Sequence, residues 1–246
     1  MLFRSSQIGY VITAIGLATS LGIAGGLYHA MNHTLFKGLL FLCAGAVFYS
    51  AGTTDLDRLG GLAKRMPQTA AIFLVGAAAI SGIPPFNGFA SKWVIYQACY
   101  EAAAAASGFA SIFYAVVTIV GLLVSVMTLA SFIKVSQSVF FGQLPDEFDE
   151  VKEAPLLMRI PMWIMAICCL LAGLLPGPLS RFALQPAAAA TLNIKGYIDT
   201  MMGGGYAASQ MGAVTPVAEL DFSTIGYWQP VAWLVLFVIK IGRAHV

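Results

Sequence analysis

The chain has 246 residues, 59% of them hydrophobic and only 10% charged, with a formal net charge of +2. Soluble domains carry roughly 25% charged residues, so this chain is too apolar for a water-facing surface and suits a bilayer. No basic run points to nucleic acid as a partner.

A membrane-spanning helix needs about 20 mostly apolar residues, and about seven segments approach that length. The first covers residues 8–25. Arg4 ahead of it imitates a signal peptide, but further apolar stretches follow, so it reads as a retained helix. The second covers residues 28–51. A polar link at 53–68 follows, with Asp55, Asp57, Arg58, Lys64 and Arg65. The positive-inside rule favours the cytoplasmic side for this link, while the other links are too sparse to fix an orientation. The third segment, residues 69–83, is closed by Pro84-Pro85, because proline lacks an amide donor and clashes with the preceding turn. The fourth covers residues 86–105 and ends near Ser107-Gly108.

The fifth, residues 111–141, is long enough to cross with tilt. An acidic link at 146–153 leads to the sixth, residues 160–175, closed by Pro176-Gly177-Pro178. Residues 181–225 are mixed in character and read as an extramembrane link. Gly203-Gly204-Gly205 within it is a flexible connection, since a phosphate cradle needs a preceding strand and a following Lys-Ser/Thr. A last apolar run at 226–240 reads as a truncated transmembrane helix. No period-2 alternation suggests a barrel, and helices satisfy their own backbone where hydrocarbon cannot. The expected fold is an all-α, polytopic transmembrane helix bundle.

Cys43, Cys99, Cys168 and Cys169 all sit in apolar runs without C-x-x-C or metal spacing, so neither a disulfide nor a metal site is expected. The chemistry lies elsewhere. His29, His33 and Lys37 are spaced by four, which puts them on one helix face over about 12 Å. A central Lys or Arg in a membrane costs roughly 2.5–3.5 kcal/mol on insertion scales. Histidine exchanges protons near neutrality, and burial favours a neutral, exchangeable lysine. A row of such groups linked by water is a proton wire. At a helix end the same row would simply face headgroups, and Gly25-Gly26 just before it leaves that alternative open.

Lys92 is the second feature. It follows Pro84, Pro85 and Gly88, a helix break that frees backbone carbonyls. Irregular backbone at membrane depth lines cavities, so Lys92 is a candidate ion-gating charge; its alternative is a snorkelling lysine beside Trp93. Glu101 and Lys134 are accessory candidates, Glu101 as a water-bridged partner of Lys92 or a helix-end residue, and Lys134 as an interfacial charge.

Four stretches together resemble the antiporter-like proton-translocating subunits: Ser6-Gln7-Ile8-Gly9-Tyr10, the stripe from His29 to Lys37, the run from Asp55 to Leu62, and the run from Gly82 to Trp93. That family includes large membrane-arm subunits of respiratory complex I (NADH:quinone oxidoreductase), matching subunits of Mrp-type sodium/proton antiporters, and membrane subunits of membrane-bound hydrogenases. The resemblance covers about residues 1–180 and implies the second of two inverted helix repeats. It implies that His29, His33 and Lys37 are relay groups and that Lys92 is the terminal proton-exchange group. It also implies partnership with other antiporter-like membrane subunits, with a redox or hydrogenase module and with lipid, in a cell inner (plasma) membrane. The first repeat, with its helix glutamate and central lysine, has no counterpart here, which reads as a C-terminal fragment.

The expected function is proton translocation in a redox-driven complex. A sodium/proton antiporter subunit and a purely structural or assembly subunit are the alternatives. No flavin, haem, iron–sulfur or nucleotide motif is present, so no cofactor and no redox centre of its own are expected. Residues 241–246 equal the in-frame translation of a common sequencing adapter and are expected to carry no function.

Overall fold

The computed structural model describes residues 2–193 and 200–201. The glycine triplet, the last apolar run and residues 241–246 lie outside the described residues. Among the described residues the α-helices are, in order, α1 (Leu2–Gly16), α2 (Ser20–Ala51), α3 (Pro67–Ser81), α4 (Asn87–Ala105), α5 (Phe109–Ser136), α6 (Leu156–Leu174), α7 (Pro176–Leu179) and α8 (Gln185–Leu192). Wider π turns extend α5 through Gln137–Phe141 and join α7 to α8 through Ser180–Leu184. No strand occurs among the described residues.

Helix α2 is the mast of the bundle and packs on α1, α3, α4, α6 and α8. Its C-terminal half meets α3, the π turn after α5, and α6 through Phe36, Leu39, Ile72, Phe73, Phe140 and Met162. Its N-terminal half meets α4 and the α7–α8 segment through Leu21, Tyr28, Ala90, Val94 and Leu184. The outer face of α5 is the reverse of a soluble surface. Phe109, Ile112, Phe113, Val116 and Leu123 are all exposed there, an apolar face that suits hydrocarbon or another apolar protein. Among the described residues, three helices are long and apolar enough to cross a membrane: Ser20–Ala51, Phe109–Phe141 and Leu156–Leu174.

Charge gathers in the links, and it is paired. Arg58 donates to Glu147 at 2.9 Å and Arg65 to Asp149 at 2.6 Å. Glu153 caps the start of α3, accepting from the Gln68 amide at 2.9 Å and from Thr69 Oγ1 at 2.6 Å. The α2–α3 and α5–α6 links therefore meet on one side of the bundle.

The structure moves two boundaries. The first break falls at residues 17–19, not at Gly25-Gly26. Thr19 starts α2 by accepting from the Gly22 amide at 3.0 Å, the ordinary work of an N-cap hydroxyl. Ala18 makes the turn with φ 52°, a conformation that alanine rarely adopts, so sequence gave no cue. Gly25 and Gly26 serve helix packing instead: a Cβ on Gly25 would lie 3.0 Å from Val94 Cγ1, and one on Gly26 2.8 Å from Ile15 Cγ1. The second shift concerns the stretch after residue 181, which begins as helix rather than as irregular link. Ala188 of α8 is fully buried against Ile23 and Ala24 of α2.

Candidate functional site

The break between α3 and α4 builds the site. Gly82 ends α3 with φ 81°, a left-handed conformation that glycine adopts without a Cβ penalty. A cis peptide bond joins Pro84 to Pro85, and α4 starts at Asn87. Gly88 lets the two helices meet, because a Cβ there would lie 1.8 Å from Ala79 O. Asn87 and Asn32 lock α4 to α2 reciprocally: Asn32 Nδ2 donates to Asn87 O at 3.0 Å, and Asn87 Nδ2 to Asn32 Oδ1 at 3.1 Å.

Lys92 turns into this break. It is 2% exposed, whereas neighbouring Trp93 is 38% exposed on the outer face. The snorkelling alternative therefore does not describe it. Lys92 Nζ donates to Ile80 O at 3.0 Å and approaches Ser81 O at 3.5 Å. These are carbonyls at the end of α3, where the helix dipole favours a cation. The aliphatic part of the side chain lies over Gly82. Nζ also sits 5.1 Å from the centre of the Tyr10 ring, a cation–π distance.

His29 meets the same ring edge-on, with centroids 5.4 Å apart. It is fully buried within α2, so the alternative of a stripe at a helix end does not apply to it. Its Nδ1 is 2.9 Å from Ser91 Oγ and its Nε2 3.1 Å from Gln7 Oε1. Four helices thus converge: α1 gives Gln7 and Tyr10, α2 gives His29 and Asn32, α3 gives its last carbonyls, and α4 gives Asn87, Ser91 and Lys92.

The rest of the stripe leads outward. His33 is half-buried, with its ring 5.6 Å from that of Phe36, which also neighbours His29. His33 Nε2 is buried without a hydrogen-bond partner. Lys37 is half-buried, with Nζ 5.4 Å from the Phe41 ring centre. Glu101 is exposed, nine residues beyond Lys92 on α4, about 13 Å along the axis. Lys134 is exposed near the end of α5. Neither joins the cluster.

A hydroxyl group of side chains flanks the site toward α5. Tyr10 OH donates to Gly121 O and lies 2.9 Å from Ser125 Oγ; Tyr96 OH is likewise 2.9 Å from Ser125 Oγ. A cavity of about 400 Å³ beside them is lined by Lys92, Gly82, Tyr96 and Ser125. Sequence reasoning singled out none of Gln7, Tyr10, Asn87, Ser91, Tyr96 and Ser125 as site residues. The available signals were Gln7 in an apolar helix and Ser91 beside Lys92.

Residues 5–120 match the family described as NADH:quinone oxidoreductase/Mrp antiporter, transmembrane. The chain belongs to this family. Formate hydrogenlyase subunit 3 of Escherichia coli (strain K12) is 36% identical to it over 171 residues, covering 68% of this chain and 28% of that protein. The Mrp complex from Dietzia sp. DQ12-45-1b contains a chain that superposes with a TM-score of 0.69 at 25% identity, covering 82% of this chain and 43% of that one. Respiratory complex I from Thermus thermophilus contains one at TM-score 0.63 and 25% identity, covering 76% and 37%. The chain thus spans less than half the length of each of these proteins. Like them it is a multi-pass membrane protein.

Proposed function

We propose that this chain forms one proton-conducting half of an ion-translocating membrane subunit in a redox-driven complex of the hydrogenase or NADH:quinone oxidoreductase type. Its partners are further antiporter-like membrane subunits, a redox or hydrogenase module, and lipid. The carrying observation is the Lys92 ammonium, buried among the last carbonyls of α3 and sharing the Tyr10 ring as a neighbour with His29. Lys92 is the gating charge. His29, His33 and Lys37 line the route that feeds it, from the core of the bundle to its edge.

Lys92 does this by holding its proton in one of two ways. Charged, it neutralises the end of α3. Neutral, the amine keeps N–H groups for Ile80 O and Ser81 O but leaves the end of α3 without its counter-charge. Moving one charge through 100 mV corresponds to about 2.3 kcal/mol, a scale that desolvation and charge neighbours reach. A sodium route is disfavoured because a metal cation would meet a buried ammonium and, among the described residues, no buried carboxylate.

The test is Lys92→Met in the assembled complex, reconstituted into proteoliposomes with a pH-sensitive dye inside. Intact assembly with translocation reduced about 100-fold or more is expected, the range for removing a proton-transferring group. Normal translocation refutes the proposal. Lost assembly with normal residual pumping supports a structural role instead.

A further inference from the structure

His29 is bonded at both ring nitrogens by neutral side chains, and the two partners are not equivalent. At Nε2 the partner is Gln7 Oε1, 3.1 Å away. A carbonyl oxygen only accepts, so Nε2 carries the hydrogen and donates. At Nδ1 the partner is Ser91 Oγ, 2.9 Å away, which either donates or accepts. In the neutral ring Nδ1 is therefore the lone-pair atom, and the Ser91 hydroxyl donates to it. That hydroxyl has two other acceptors in reach, Asn87 O at 3.1 Å and Gly88 O at 3.3 Å. Gln7 is 2% exposed and Ser91 0%, so bulk water does not compete for these bonds.

We propose that Gln7 fixes His29 as the Nε2–H tautomer, leaving Nδ1 as the ring atom that takes up and releases the transported proton, and that Ser91 swings its hydroxyl between Nδ1 and the first-turn carbonyls of α4. This rests on the reading that His29 carries protons. When a proton adds to Nδ1, both ring nitrogens donate. Gln7 Oε1 keeps its bond. Ser91 turns its O–H to Asn87 O or Gly88 O, and its Oγ accepts from Nδ1–H. Ser91 exchanges one donated hydrogen bond for another while its Oγ stays paired with Nδ1, and departure of the proton from Nδ1 restores the starting arrangement. The charge of His29 is thereby registered on the first turn of α4 through Ser91, the residue before Lys92. Gln7 and Ser91 are positioning residues, acting through the ring.

The arrangement has a definite rival. Gln7 Nε2 is buried without a partner. An amide turned over would aim Nε2 at the ring, force the hydrogen onto Nδ1, and make Ser91 an acceptor in the neutral state. The two arrangements differ in the tautomer, which is measurable. The chain with ¹⁵N-labelled histidine is placed in lipid bilayers at alkaline pH and read by solid-state NMR. His29→Asn assigns the relevant signal by its loss. The expected result is a protonated Nε2 and a bare Nδ1. Gln7→Leu is expected to split the signal between both tautomers, while Gln7→Glu, which keeps an acceptor oxygen, retains the single Nε2–H form. A Nδ1–H signal in the unmodified chain overturns the proposal, as does an unchanged tautomer in Gln7→Leu. If Gln7→Leu does not fold, the unmodified chain decides alone. The spectrum reads no transport, so a failed tautomer leaves the Lys92→Met result standing, and the reverse also holds.

Discussion

The two regions that hold charge in this bundle hold it by opposite means. In the links, Arg58 and Arg65 meet the carboxylates of Glu147 and Asp149, and all four residues remain exposed. In the interior, Lys92 and His29 meet no carboxylate among the described residues; backbone carbonyls, an aromatic face, an amide and a hydroxyl hold them. A carboxylate beside a buried cation would fix its charge by direct attraction. Carbonyl and hydroxyl partners tolerate both protonation states, because they lose one hydrogen bond rather than an ion pair. The links hold their charges by ion pairs, and the interior holds its titratable groups by neutral partners.

That contrast orders the tests. Translocation should separate the regions most: the large loss expected for Lys92→Met should have no counterpart in Arg58→Ala, measured in the same vesicles. Equal losses would erase the distinction. Next comes the break itself. Gly88→Ala places a Cβ 1.8 Å from Ala79 O, and overpacking of this kind costs about 1–3 kcal/mol. Thermal unfolding in detergent should register that loss, and an unchanged midpoint would mean that α3 and α4 approach less closely. Asn32→Leu leaves the buried Asn87 amide without its partner and should cost about 1–3 kcal/mol, read in the same assay. Glu153→Ala removes the cap from α3 and should cost about 0.5–2 kcal/mol. Arg65→Ala should have the smallest effect, one that fades further with added salt.

Much of this interior site was legible in sequence because titratable residues inside apolar runs are conspicuous. His29, His33, Lys37 and Lys92 announce themselves in that way, and so does the Pro84-Pro85 break. Their partners do not. Gln7 lies 22 positions from His29, and Ser91 lies 62 away; only the packing of α1 and α4 against α2 brings them together. The stripe also looked uniform in sequence, whereas the structure grades it from a fully buried His29 to a half-buried Lys37. Helical spacing fixes a shared face but not how deeply each turn is covered. Gly25-Gly26 misled for a related reason: a glycine pair marks a break or a close helix contact equally well, and only the neighbouring helix decides.

Helix α3 is gripped at both ends by single side chains from elsewhere in the chain. Glu153 holds its first turn, and Lys92 holds its last carbonyls. Its 15 residues make a rod about 22 Å long. One rod thus runs from the acidic link to the buried ammonium, bonded by a side chain at each end. The buried lysine and the exposed acidic link both bond to this one helix.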